Sequence, residues 1–144
     1  MMPLRLLPFF IIALLAFQPA SAGETREAVP FPPQVKAQFL HRMRGHLETL
    51  NAILGYLSQQ RYAQASQAAQ SQLGMGAMGP ELHQQLPYMP PGMRSLGARL
   101  HKASAMFSTE AQNAEVTGDP APALRALHRM TETCIACHRA YRVN

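Results

Sequence analysis

The chain has only two cysteines in 144 residues, Cys134 and Cys137, so there is no second pair to complete a four-ligand zinc site. Lysine is equally scarce, with Lys36 and Lys102 alone. The arginines are scattered, and the formal net charge of +5 includes no dense basic run of the kind nucleic-acid binding needs. No long apolar stretch follows the first 22 residues, so the remainder has no candidate membrane span. Alternating apolar and polar runs are missing, as are Asn-Gly hairpin signals, and the sequence predicts no sheet.

What is present begins with a secretory signal over residues 1–22. Arg5 supplies its positive start, Leu6 to Phe17 its apolar stretch, and Ala20, Ser21 and Ala22 a small-residue cleavage site before Gly23. The apolar stretch is too short to span a bilayer, and no cysteine lies near the cleavage site to carry a lipid. The expected product is one exported domain, residues 23–144. Losing Arg5 leaves a formal charge of about +4, a mild excess that leaves an acidic docking partner open.

Proline pairs and Gly/Pro clusters divide this domain into four segments with helical periodicity. A polar lead-in covers residues 23–32. Pro33 can open the first helix, in which Phe39, Met43, His46, Leu50, Ile53 and Leu57 form a heptad seam. Leu40, Leu47 and Leu54 flank that seam and are expected to widen the buried stripe. The second segment, Tyr62 to Leu73, is rich in small residues that permit close approach, with Gly74 at a capping position. The third follows Pro90 and Pro91 and places Leu96, Leu100, Ala103 and Phe107 on one face. The fourth opens near Pro120 and aligns Leu124, Leu127, Thr131, Cys134, His138 and Tyr141. Short connections favour an antiparallel bundle.

The two cysteines lie on that last seam as Cys134-Ile135-Ala136-Cys137-His138, a C-x-x-C-H pattern, which is the attachment pattern for c-type haem. Thiols three residues apart on a helix share a face, so each can form a thioether with one vinyl group of a single porphyrin. His138 then reaches the iron as proximal ligand. A redox C-x-x-C usually sits where a strand enters a helix, and a disulfide across two residues would be strained within a helix. One covalent haem c is therefore the expected cofactor.

With its motif closing the last of four helices, as Cys134-Ile135-Ala136-Cys137-His138-Arg139-Ala140-Tyr141-Arg142, the chain resembles the class II cytochromes c, the cytochrome c prime family and its low-spin relatives. Class I cytochromes c carry the motif near the N-terminus. The resemblance covers essentially all of residues 23–144, though only the C-terminal motif is specific. It implies an all-α antiparallel four-helix bundle in the periplasm that transfers electrons to a redox partner protein and is not an enzyme. Homodimerisation through the first two helices stays open. The resemblance also implies that any distal ligand comes from the first helix, a methionine in low-spin members and an apolar residue in high-spin ones. Met43 is the expected distal iron ligand. His46, one turn along the seam, is its rival or else a core-edge histidine. A five-coordinate haem that binds nitric oxide or carbon monoxide is the alternative function.

The other candidates carry ordinary expectations. His41, His101 and His128 fall outside the seams and are expected to be solvated. Met75, Met78, His83, Met89 and Met93 are soft enough for copper, but a Gly- and Pro-rich crossover also needs adaptable apolar cover, which is the expected role. Arg139 and Arg142 suit a helix C-terminus and leave a propionate contact or a docking role open. Tyr141 is expected in the core.

Overall fold

A computed structural model of the protein describes residues 23–144; the expected signal segment, residues 1–22, lies outside the described residues. Among the described residues the fold is all-α, with helices α1 (Pro33–Ser58), α2 (Tyr62–Gln72), α3 (Pro80–Gln85), α4 (Pro91–Thr117) and α5 (Ala121–Ala140). Proline sets the helix starts. Pro33 and Pro91 occupy the first turns of α1 and α4, where a missing N–H costs nothing, and Pro32 and Pro90 precede them as caps. Gly118 ends α4 in the left-handed region at φ 74°, and its N–H donates to the Ala114 carbonyl at 2.8 Å. No described helix is long and apolar enough to cross a membrane.

Three local features depart from the sequence expectations. The lead-in forms a strand, β1 (Glu27–Val29), paired in parallel with β2 (Tyr141–Val143), so that Val29 faces Val143 and Tyr141 leaves the helix in an extended conformation. Strands of three residues are too short for alternation to reveal them. The crossover between α2 and α4 holds α3 and two 3-10 turns, Met75–Ala77 and Leu86–Tyr88. Gly74 does not act as a left-handed cap, since its φ is −88°. Its glycine is required by close approach: a Cβ there would stand 2.9 Å from the Gln70 carbonyl oxygen.

Packing runs from α1 to α2, from α2 to α4 and from α4 to α5. The small residues of α2 do allow close contact. Buried Ser104 and Ser108 on α4 donate to the Ala69 and Ser66 carbonyls of α2 at 2.9 and 3.1 Å. Two apolar clusters result. The larger joins Ile53, Ala65, Ala69, Phe107, Ala111, Ala126 and Met130, and each large side chain buried there contributes about 1.5–3 kcal/mol. The smaller joins β1, the start of α1, the start of α4 and the end of α5. Leu47 and Leu54 do not widen the buried stripe, being 68% and 50% exposed. With α2 as its principal neighbour, α1 has only a narrow face covered.

Candidate functional site

The C-x-x-C-H residues occupy the last two turns of α5, which buries Ala126, Leu127, Met130 and Thr133 through its preceding turns. Cys134 and Cys137 are half-buried free thiols, and Cys134 Sγ faces the Met130 carbonyl oxygen at 3.8 Å. Burial pushes both thiols up from their ordinary pKa, and for Cys137 the neighbouring Cys134 adds to the effect. A redox-active C-x-x-C has the opposite property, a stabilised thiolate. His138 is exposed in the final turn, where a basic side chain suits the helix dipole.

Across from the motif stands the first half of α1. Val29, Phe31, Phe39, Met89 and Met93 form the buried centre of the smaller cluster, and Met43, Cys137 and Tyr141 pack against it. Phe31 and Phe39 stack with ring centroids 4.9 Å apart. The tertiary fold thus brings the expected distal residue Met43 and the second cysteine into one apolar environment, although they are on helices at opposite ends of the domain sequence.

One turn further along α1, His46 is half-buried and its pKa is lowered to about 4. Burial is the main cause, and the positive charges of Arg42, His101 and His138 add to it. Its imidazole is therefore neutral at physiological pH, near the Arg42 guanidinium of α1.

Arg42 itself is half-buried, with its guanidinium 5.6 Å from the Phe39 ring centroid and Nη2 donating to Gln85 Oε1. Burial lowers its pKa, opposed by the charge of Glu81. Arg42 Nε and Gln85 Nε2 are buried without a hydrogen-bond partner, as are Gln38 Oε1 and Arg142 Nε. Neither Arg42 nor Gln85 carries a sequence signal for this role. Arg42 resembles any polar residue beside a heptad seam, and Gln85 lies in a crossover without periodicity.

The remaining candidates divide. His101 is not fully solvated as expected: Nδ1 lies 2.9 Å from the Leu73 carbonyl oxygen, because α4 passes the end of α2 there. His41 is exposed, and His128 is exposed in an i,i+4 pair with Glu132 at 3.6 Å, a contact worth little in water. The crossover methionines do not converge. Met89 and Met93 are buried in the smaller cluster, whereas Met75 and Met78 are exposed. Among the described residues no group of three or more His, Cys, Asp or Glu side chains is placed to hold a metal ion. Two shallow grooves between α1 and α2, bordered by Tyr56, Ala68 and Gln72, include no residue of the motif.

No protein-family model, curated protein or solved structure matches the chain.

Proposed function

We propose that the protein is a periplasmic class II c-type cytochrome of the low-spin branch, an antiparallel four-helix bundle of α1, α2, α4 and α5 that carries one covalent haem and transfers electrons. The observation that carries this reading is the shared environment of Met43 and Cys137. It supports a porphyrin attached at the end of α5 with a thioether sulfur available from α1.

The residues present fit such a group. Cys134 and Cys137 offer two thiols on one helical face, His138 offers an accessible imidazole beside them, and Phe31, Phe39, Met89 and Met93 offer apolar contact. Cationic and amide donors in the same region suit the group's carboxylates. When bound, haem would supply a one-electron ferric/ferrous couple, and ligation by His138 and Met43 would raise its potential. In this reading Cys134 and Cys137 would anchor the porphyrin, His138 would offer an imidazole nitrogen and Met43 a thioether sulfur as iron ligands, and the aromatic and methionine side chains would keep water from the site.

A second reading has its own support, because Met43 packs in an apolar cluster where a methionine can simply fill space. The haem would then be five-coordinate and open to nitric oxide or carbon monoxide.

Mass spectrometry and one absorption spectrum of the ferric protein test both readings. The expected results are a mature chain heavier by one haem, resistant to acid-acetone extraction, with a low-spin Soret band and a Met–Fe charge-transfer band. A high-spin charge-transfer band would favour the gas binder, and an unmodified polypeptide mass would remove both.

A further inference from the structure

We propose that the end of the bundle bearing the C-x-x-C-H turn is a basic pole that docks on an anionic lipid surface. The mild net charge of residues 23–144 conceals a polarised molecule. Val35 of α1, Met93 of α4, Cys137 of α5 and Tyr141 of β2 belong to one apolar cluster, so the start of α1, the start of α4 and the end of α5 meet at one end. Ile53, Tyr62, Ala114 and Ala123 belong to the other cluster, toward the opposite end. With α1, α4 and α5 each divided at its midpoint, and β1, β2 and the crossover counted with the motif, the motif half carries nine Lys and Arg against four Asp and Glu. The opposite half carries three against four. All of the positive excess is therefore at the motif end.

Four cations mark the pole itself. Lys36 follows Val35, Arg94 follows Met93, Arg142 follows Tyr141, and Arg139 lies two residues beyond Cys137. Arg94 and Arg139 are exposed, Lys36 and Arg142 partly so, and none of the four is in an ion pair among the described residues. The acids of the lead-in offset them little, since Glu24 is held by Arg26 at 2.6 Å and only Glu27 is left. The four cations come from α1, α4, α5 and β2, so they ring an end of the bundle and do not line one groove. A protein partner, covering about 800 Å² a side, would select charges on one face. A bilayer offers anions over a broad flat area and engages such a ring at once. Exposed apolar groups accompany the charges: Tyr88, 42% exposed and edge-on to Phe31 at 6.4 Å, and Ile135, 49% exposed in the turn before His138. An aromatic ring with a polar tip suits the headgroup boundary of a membrane.

Co-sedimentation with vesicles tests the proposal on residues 23–144, because the apolar stretch of residues 1–22 would itself bind lipid. The protein should bind vesicles of mixed phosphatidylglycerol and phosphatidylcholine, ignore phosphatidylcholine alone, and be released as salt rises. Each Lys or Arg near an anionic surface strengthens partitioning about fivefold. The triple variant Lys36→Gln, Arg94→Gln, Arg139→Gln should therefore bind at least about 10-fold more weakly. The charge-matched triple Arg61→Gln, Arg125→Gln, Arg129→Gln removes as many charges from the opposite half and should bind within about twofold of the wild type. Should either triple unfold, Arg139→Gln and Arg129→Gln make the same comparison singly. Equal losses in the two sets would reduce the effect to net charge and overturn the pole. Equal binding to the neutral vesicles would overturn the electrostatic basis. A wild type that stays in solution with the anionic vesicles at low salt would overturn the lipid assignment and leave the charge to an acidic protein partner. Covalent haem content, read separately by mass, bears on the cytochrome reading and not on this outcome.

Discussion

The Tyr141 hydroxyl rests against Gly92, so that a methyl group at position 92 would overlap the phenol oxygen while standing 3.6 Å from Cζ. This contact ties the first turn of α4 to β2, immediately after the C-x-x-C-H turn. Gly92→Ala should therefore displace the Tyr141 hydroxyl and cost up to about 1 kcal/mol, since the side chain can shift and alanine favours the helix. Adding Tyr141→Phe should recover most of that loss, since the offending atom is the oxygen alone. Urea denaturation of the two single variants and the double variant measures the coupling. Strictly additive effects would show that the ring is not held against the glycine.

The ligand assignment separates two neighbours on α1. On the proposed cytochrome reading, Met43→Ala should convert the haem to high spin, open it to carbon monoxide and lower the reduction potential. His46→Ala should leave the spin state unchanged and mainly cost stability. Loss of the low-spin spectrum in the His46 variant alone would make the site bis-histidine.

Acid should weaken the fold through His46. Its pKa is about 4 in the folded protein because of burial and of the charges on Arg42, His101 and His138, against 6.5 ordinarily. Between these values the unfolded chain binds a proton that the folded chain does not. Stability is therefore fully present above about pH 6.5 and declines as pH falls toward 4. The loss is on the order of 2 kcal/mol, allowing for partial solvent access to the ring. His46→Gln should flatten this part of the curve in urea midpoints followed from about pH 7 to about pH 4.

The paired variant Cys134→Ser, Cys137→Ser should carry no covalent haem and should unfold less cooperatively, because α5 loses the group proposed to complete its packing against α1. Near-ultraviolet circular dichroism reports the loss of fixed aromatic packing around Phe31 and Phe39. A variant with native melting behaviour would show that the helices need no cofactor.

If the proposed cytochrome docks on an acidic electron-transfer partner, the on-rate should fall moderately as salt rises, in keeping with a formal charge of +5, or about +4 without the expected signal segment. Stopped-flow mixing across ionic strength measures the slope. A rate indifferent to salt would place apolar contact at the centre of docking.

The four long helices were legible in the sequence because their signals are local. Proline placed the starts of α1 and α4, Gly118 the end of α4, and seven-residue apolar steps marked the seams. The C-x-x-C-H motif is equally local, five adjacent residues whose spacing on a helix sets their geometry whatever surrounds them. Tertiary structure decided the rest. Leu47 and Leu54 repeat at seven-residue steps beside the seam of Phe39 and Ile53 yet stay exposed, because the stripe that counts is the one a neighbouring helix covers. Met89 and Met93 enter the core while Met75 and Met78 do not, a division that composition cannot express. Tyr141 turns from helix to strand because β1, more than 100 residues earlier, supplies its pairing partner. Arg42 meets Gln85 across an aperiodic crossover. Periodicity records what a residue does within its own helix; which side chains meet across the fold depends on long-range packing, whose closure leaves no regular trace in the order of residues.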